Sequence, residues 1–174
     1  EEAHGKVPGG RAVVLGMGKL GSRELTAGSD VDIILVYDHP GDAEDSDGAK
    51  PLDPVRYYAR ATQRLVAALS APTAERLLSD VDPRLRPSGN KGPIATSIKA
   101  FAKYQAEEAW TWEHLALTRA RPLAGDASLM DQAREVIDQA LAAPRDHAKL
   151  VADLVEMRAL IEQEKPPRDI WDVK

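Results

Sequence analysis

The stretch RAVVLGMGKLGSRELTAGSDVDIILVYD, Arg11–Asp38, decides the fold. It begins with an apolar run, passes through a glycine-rich turn, and continues into a second apolar run headed by two aspartates. Short apolar runs rich in β-branched residues are typical of buried strands, and a nearly uninterrupted one is typical of a central strand covered on both faces. We therefore predict strands over Ala12–Leu15 and Val31–Tyr37, joined through a short helix at Lys19–Leu25.

The two aspartates at the head of the second strand, Asp30 and Asp32, are separated by one residue. Side chains two positions apart in a strand point to the same face, so these carboxylates can share a divalent cation. The glycine turn that precedes them can let phosphate groups approach the backbone. The sequence thus favours chemistry on a phosphate with the help of a metal ion.

The composition of the chain makes some classes of function less plausible than others. The chain has 174 residues, a formal net charge of −5 and no cysteine. Sequence-independent binding of nucleic acid depends on clustered Lys and Arg, which this acidic balance does not favour. The start EEAHGKVPGG does not resemble a signal peptide, and no segment approaches the ~18 apolar residues of a membrane span. We expect a soluble, cytoplasmic protein with no nucleic acid and no membrane among its partners.

The rest of the chain predicts one more strand and several helices. Asp53–Pro54 is typical of a helix start, with an N-cap followed by proline. Leu77–Leu85 is typical of a strand that Pro83 and Pro87 confine to a sheet edge. Beyond Pro93 the apolar spacing is helical. The helices that we predict there are Ile98–Ala106, Ala109–Arg119, Leu129–Ala142 and His147–Glu164.

These elements predict the α+β fold class and three regions. Residues 1–10 form a flexible lead-in, residues 11–98 form a mixed α/β catalytic core, and residues 99–174 form an all-helical subdomain. We find no internal repeat.

The hexapeptide GMGKLG, Gly16–Gly21, also matches the GxGxxG fingerprint of dinucleotide-binding domains, and Asp38 lies near the distance of its ribose-binding acid. Three observations count against this alternative. The helix after the turn is too short for a normal parallel crossover. Two carboxylates at the head of the next strand have no task in that fold, and the chain does not continue with alternating strands and helices.

The same segment resembles the polymerase-β-like nucleotidyltransferase superfamily. That pattern is a glycine followed by a small or polar residue, a spacer of roughly ten residues, and Asp-x-Asp on a strand. Only seven residues separate Gly21-Ser22 from Asp30, whereas ten residues, Leu20–Ser29, separate Gly18-Lys19 from it. The resemblance therefore implies that Gly18 and Lys19 occupy the phosphate-binding turn, where lysine adds a positive charge.

The superfamily takes a third carboxylate from a later strand. Asp82 in LLSDVDPRLRPSG is the candidate, with Asp80 as the alternative on the same face. Arg84 and Arg86 alternate with Asp82 and would face the triphosphate, although ordinary salt bridges explain them equally well. The residues assigned to nucleotide binding are Gly18, Lys19, Ser29, Arg84 and Arg86; the catalytic and metal-binding residues are Asp30, Asp32 and Asp82.

Four segments in order carry a closer resemblance: GMGKLGSREL, SDVDIILVYD, VDPRLRPSGNKGP and YQAEEAWTWEHLALTRARPLAGD. Together they are similar to the glutamine synthetase adenylyltransferases, bifunctional enzymes with an AMP-attaching and an AMP-removing domain. The segment AFAKYQAEEAWTWEH resembles the C-terminal, attaching copy. The resemblance implies that the chain is a truncated piece of a longer enzyme.

The resemblance also implies the reaction and its partners. AMP passes from ATP to a tyrosine of glutamine synthetase with two Mg²⁺ ions on the carboxylates, and a nitrogen-signalling protein of the PII type acts through other parts of the enzyme. The removing reaction stays open as an alternative, since both directions need the same acids. For Trp110 and Trp112 we expect packing in the core or between domains, and for His114 a structural hydrogen bond rather than the role of a general base.

Overall fold

The computed structural model describes residues 3–26, 28–71, 81–83, 85–89 and 92–164. Five strands and six helices lie in these ranges. In chain order they are β1 (Arg11–Gly16), α1 (Gly18–Gly21), β2 (Val31–Asp38), α2 (Pro54–Leu69), β3 (Val81–Asp82), β4 (Ala95–Ser97), α3 (Ile98–Glu107), α4 (Thr111–Leu117), β5 (Arg121–Gly125), α5 (Ala127–Ala142) and α6 (His147–Glu164).

The strands form one mixed sheet centred on β2. Strand β1 runs antiparallel to β2, with Arg11 opposite Asp38 and Gly16 opposite Ile33. Strand β5 lies antiparallel on the other edge of β1. Strands β3 and β4 pair in parallel with successive lengths of β2, at its beginning and near its end. This small mixed sheet with helices confirms the predicted α+β fold class.

Side chains of β2 alternate between two buried faces of the sheet. Ile34 and Val36 pack on one face with side chains of β1, α3, α4 and α5, among them Phe101, which is fully buried. Leu35 and Tyr37 pack on the other face with α2, where the rings of Tyr37 and Tyr58 stack. The strand is therefore covered on both sides, as its unbroken apolar run predicted.

The helix starts follow the capping chemistry that the sequence indicates. The Asp53 carboxylate accepts a hydrogen bond from the Arg56 backbone N–H at the start of α2, with Pro54 as the first helical residue. The predicted helices after residue 98 are present as α3, α4, α5 and α6 with shifts of a few residues at their ends. Helix α1 is shorter than predicted and ends at Gly21.

Two strands were not predicted, and both change the architecture. Strand β4 immediately precedes α3, and β5 pairs with β1 within the region expected to be all helical. Helices α3 and α5 pack directly on the sheet. Residues 99–164 thus contribute a strand and core helices to the sheet domain; the boundary placed at residues 98 and 99 stays a prediction.

Residues 3–10 differ from the flexible lead-in that we predicted. The Lys6 N–H donates to the Asp47 carboxylate at 2.6 Å, and the Asp47 N–H donates back to the Lys6 carbonyl at 3.0 Å. Val7 is buried in the core on the α2 side of the sheet. This segment is therefore fixed to the loop that follows β2.

The other departures concern single elements. Of the strand predicted over Leu77–Leu85, only Val81–Asp82 is described as a strand, and residues 72–80 and 84 lie outside the described residues. Val55 and Leu69 of α2 are exposed. No helix among the described residues is long and apolar enough to cross a membrane.

We predict that Phe101→Ala lowers the free energy of unfolding by about 3–5 kcal/mol, since it leaves a cavity between α3 and the sheet. Leu69→Ala on α2 is the matched control, because that side chain is 46% exposed. We expect its effect to stay within about 0.5 kcal/mol. Denaturant unfolding of both variants measures the difference. Equal losses would show that α3 is not part of the core.

Candidate functional site

The pairing of β2 with β3 brings two predicted acids together. In this parallel ladder Val31 is paired with Val81, and Asp32 with Asp82. Paired residues on neighbouring strands project to the same face at a strand spacing of about 4.8 Å. Asp32 and Asp82 are both half-buried, and they occupy paired positions on the same face at the edge of the sheet.

Asp30, the remaining acid of the three that we predict to bind metal, lies just before β2 and is exposed. Within the described ranges, no group of three or more acidic or histidine side chains is arranged to hold a metal ion. Asp80, the alternative acid, lies outside the described residues. Among the described acids, Asp32 and Asp82 thus form a pair on neighbouring strands, and Asp30 lies two positions before Asp32 in the sequence. Their hard oxygen donors fit Mg²⁺ in chemistry.

The glycine turn lies against one member of this pair, Asp32. Gly18 has a φ of +50°, and a Cβ at this position would lie 2.5 Å from Oδ2 of Asp32. The backbone N–H of Met17 donates to the Asp32 carbonyl at 2.9 Å. Glycine is therefore required at position 18 both for its left-handed backbone and for the space that the carboxylate takes. Lys19 follows it and is exposed.

Packing also explains the other two glycines of GMGKLG. A Cβ on Gly16 would lie 2.7 Å from Cδ1 of Leu123 on β5, and one on Gly21 would lie 1.7 Å from the Arg119 carbonyl oxygen. Both glycines let β5 and the residues before it approach the turn. Close packing around the three glycines thus accounts for the GxGxxG motif without a bound dinucleotide.

Arg121 and Arg119 stabilise the end of this turn. The Arg121 Nε donates to the Gly21 carbonyl at 2.9 Å and so caps the C-terminus of α1. Arg119 donates to the Ser22 hydroxyl and forms an ion pair with Glu24. The Ser22 hydroxyl and the Arg119 guanidinium together hold the pKa of the Glu24 carboxyl below its usual value. These arginines are held by the turn itself.

Two residues that were predicted to bind nucleotide, Ser29 and Arg86, form hydrogen bonds within their own loops. Ser29 is buried, and its hydroxyl accepts from the Thr26 N–H and bonds to the Thr26 hydroxyl at 2.8 Å. Arg86 donates to the Pro83 carbonyl at 2.7 Å and to the Gly92 carbonyl at 3.4 Å. Both residues shape loops next to β2 and β3. Arg84 lies outside the described residues.

The contribution that sequence reasoning missed comes from β5. Its residues RPLAG do not alternate between apolar and polar, so no strand signal exists there. The two arginines around residue 120 were the available clue, but their spacing suits a helix surface as well. Only the fold shows that they hold the glycine turn.

Comparison with known proteins adds a family. The model of the glutamate-ammonia ligase adenylyltransferase family matches residues 2–136. The chain is 67% identical over 174 residues to the bifunctional glutamine synthetase adenylyltransferase/adenylyl-removing enzyme of Agrobacterium fabrum, covering 100% of this chain and 18% of that protein. It is 66% identical over 172 residues to the same-named protein of Rhizobium meliloti, covering 99% and 17%. The chain thus spans less than a fifth of the length of these relatives.

We predict that Gly18→Ala weakens Mg²⁺ binding at least about tenfold, since the new methyl group turns the Asp32 carboxylate out of position. Gly28→Ala is the matched control: Gly28 also has a positive φ, +78°, but a Cβ placed there would meet no atom within 4 Å. Both variants bear the backbone cost, about 1–2 kcal/mol. Calorimetric titration with Mg²⁺ measures the affinities. Equal affinities in the two variants would contradict the role given to Gly18.

Proposed function

The chain belongs to the glutamate-ammonia ligase adenylyltransferase family, and from this premise we propose that its site transfers AMP from ATP to a tyrosine hydroxyl of glutamine synthetase. The bond formed joins the tyrosine oxygen to the α-phosphorus of ATP, and the α–β phosphoanhydride bond breaks to release pyrophosphate. The single observation that supports the proposal is the pairing of Asp32 with Asp82, with Gly18 packed against the Asp32 carboxylate.

Each of the three acids would bind metal ions that hold the reacting groups. Asp30 and Asp32 would hold both Mg²⁺ ions, and Asp82 would hold the one beside the attacking tyrosine oxygen. When bound, Mg²⁺ lowers the pKa of the attacking hydroxyl and neutralises charge on the departing pyrophosphate. Asp82 on β3 is paired with Asp32 on β2. Metal ions held by these two residues would therefore bring the attacking hydroxyl and the α-phosphate next to each other.

The glycine turn would receive the remaining phosphates. Gly18 leaves the backbone of the turn open next to Asp32, and Lys19 extends from an exposed position beside it. A lysine ammonium supplies a compact positive charge that suits the β- and γ-phosphates. Arg84 and Arg86 are further candidates for the triphosphate. The bonds of Arg86 to two carbonyls of its own loop favour a supporting role for that residue.

The direction of the reaction is proposed from the segment that includes α3 and α4. The relatives' names carry both activities, attaching and removing. The residues AFAKYQAEEAWTWEH resemble the attaching copy, so we assign attachment to this site and removal to another part of the longer protein. Control by a PII-type protein would likewise act through those other parts.

We predict that Asp32→Asn and Asp82→Asn in the full-length protein each reduce AMP attachment at least about 100-fold, since each removes an anionic oxygen ligand of the Mg²⁺ that would stabilise the transition state. Asp38→Asn is the control: Asp38 lies on the same strand but pairs with Arg11 far from the turn. We expect it to retain attachment. Transfer of radiolabelled AMP to glutamine synthetase measures this reaction.

The same variants distinguish the two directions when phosphate-dependent release of AMP is also measured. Loss of attachment with release retained supports the assignment. Loss of release with attachment retained would contradict it and identify this site as the removing one. Retention of both activities would contradict the role of the aspartate pair itself.

A further inference from the structure

Helix α1 ends in a turn of the Schellman type, and the residue in the left-handed position of this turn is an arginine. The Arg23 N–H donates to the Leu20 carbonyl at 3.3 Å, and the Glu24 N–H donates to the Lys19 carbonyl at 2.8 Å. Arg23 has a φ of +64°. Glycine usually occupies this position, because a side chain makes the left-handed conformation unfavourable. The turn that follows Lys19 therefore needs support from other parts of the chain.

Arg119, in the segment before β5, contacts the residues on both sides of Arg23. Its guanidinium donates to the Ser22 hydroxyl at 2.9 Å and forms an ion pair with the Glu24 carboxylate. The Ser22 hydroxyl in turn donates to the Glu24 carboxylate at 2.7 Å. One guanidinium thus holds the residue before Arg23 and the residue after it, and this keeps the strained residue between them in its conformation.

The backbone around Arg119 is itself fixed to the end of α1. The Arg121 Nε donates to the Gly21 carbonyl at 2.9 Å, and a Cβ on Gly21 would lie 1.7 Å from the Arg119 carbonyl oxygen. The side chains of Arg119 and Glu24 are 44% and 64% exposed. Exposed ion pairs contribute little to the free energy of unfolding. We therefore expect the pair to act locally, on the turn after Lys19, rather than on the stability of the whole fold.

We propose that Arg119 is a positioning residue, which holds the strained turn at Arg23 and thereby keeps Lys19 in place for the phosphates of ATP. The proposal rests on the proposed function, in which the glycine turn and Lys19 receive the β- and γ-phosphates. Arg119 itself is not expected to touch ATP. Asp32 is held separately, by its pairing with β3 and by the Met17 N–H, which donates to its carbonyl. Loosening the turn should therefore weaken ATP binding more than it slows the transfer.

The first test is Arg119→Ala in the full-length protein. We expect KM for ATP to rise about fivefold, because the turn is formed in a smaller fraction of the molecules. We expect kcat to change less than about twofold. A loss of global stability would instead lower kcat with the folded fraction and leave KM unchanged. The matched control is Arg134→Ala, which breaks an exposed ion pair with Asp131 on α5 and should keep both constants of the wild type.

Substitution of Arg23 distinguishes positioning from direct contact between Arg119 and ATP. Arg23→Gly removes the cost of the left-handed conformation, so in that background Arg119→Ala should change KM for ATP less than about twofold. Arg23→Ala removes the same charge but keeps the cost, so the rise of about fivefold should persist there. An equal effect of Arg119→Ala in the two backgrounds would overturn the proposal.

Hydrogen exchange of a peptide that spans residues 17–26 supplies a readout that does not depend on activity. Arg119→Ala should accelerate exchange of the Arg23 and Glu24 amides, and Arg134→Ala should not. Unchanged exchange in Arg119→Ala overturns the positioning role, as does accelerated exchange with an unchanged KM for ATP. A wild-type protein that binds ATP without transferring AMP overturns the proposed function alone. The Kd for ATP then replaces KM in the same comparisons, which still decide whether Arg119 positions the turn.

Discussion

The register between β2 and β3 is the constraint on which the candidate site depends. Asp32 and Asp82 lie next to each other on one face of the sheet because Val31 is paired with Val81. A slip of one residue would turn Asp82 to the opposite face, since side chains alternate along a strand. A strand of two residues cannot secure that register by itself, so the site relies on what surrounds it: the loop held by Arg86, and the glycine turn packed against Asp32.

Strand β2 can position the side chains of such a site because neighbouring strands and helices hold it in place. Both edges are paired, and both faces are covered by helices whose side chains come from distant parts of the chain. Its buried positions run from Ile33 to Tyr37, and the half-buried Asp32 comes immediately before them. Asp32 and Asp82 therefore lie at the rim of the core.

The elements that could be predicted from the sequence are those with a local pattern of apolar residues. The elements that were missed are strands whose extended form depends on pairing with a neighbouring strand. β1, β2 and the long helices follow from periodicity, and the family resemblance is confirmed by the comparisons. Strands β4 and β5 were missed because ATS and RPLAG have no strand pattern of their own; their extended form comes from their neighbours in the sheet. The local hydrogen bonds of Ser29 and Arg86 are likewise invisible without the fold. The catalytic role of the acids stays a prediction.

We propose that Asp32 and Asp82 together form the centre of a nucleotidyl-transfer site. A crystal structure of the protein soaked with ATP and Mg²⁺ tests it most directly. We expect a cation in contact with both carboxylates and a triphosphate beside Gly18 and Lys19. A cation bound away from this pair, or a nucleotide whose phosphates lie far from the glycine turn, would contradict it.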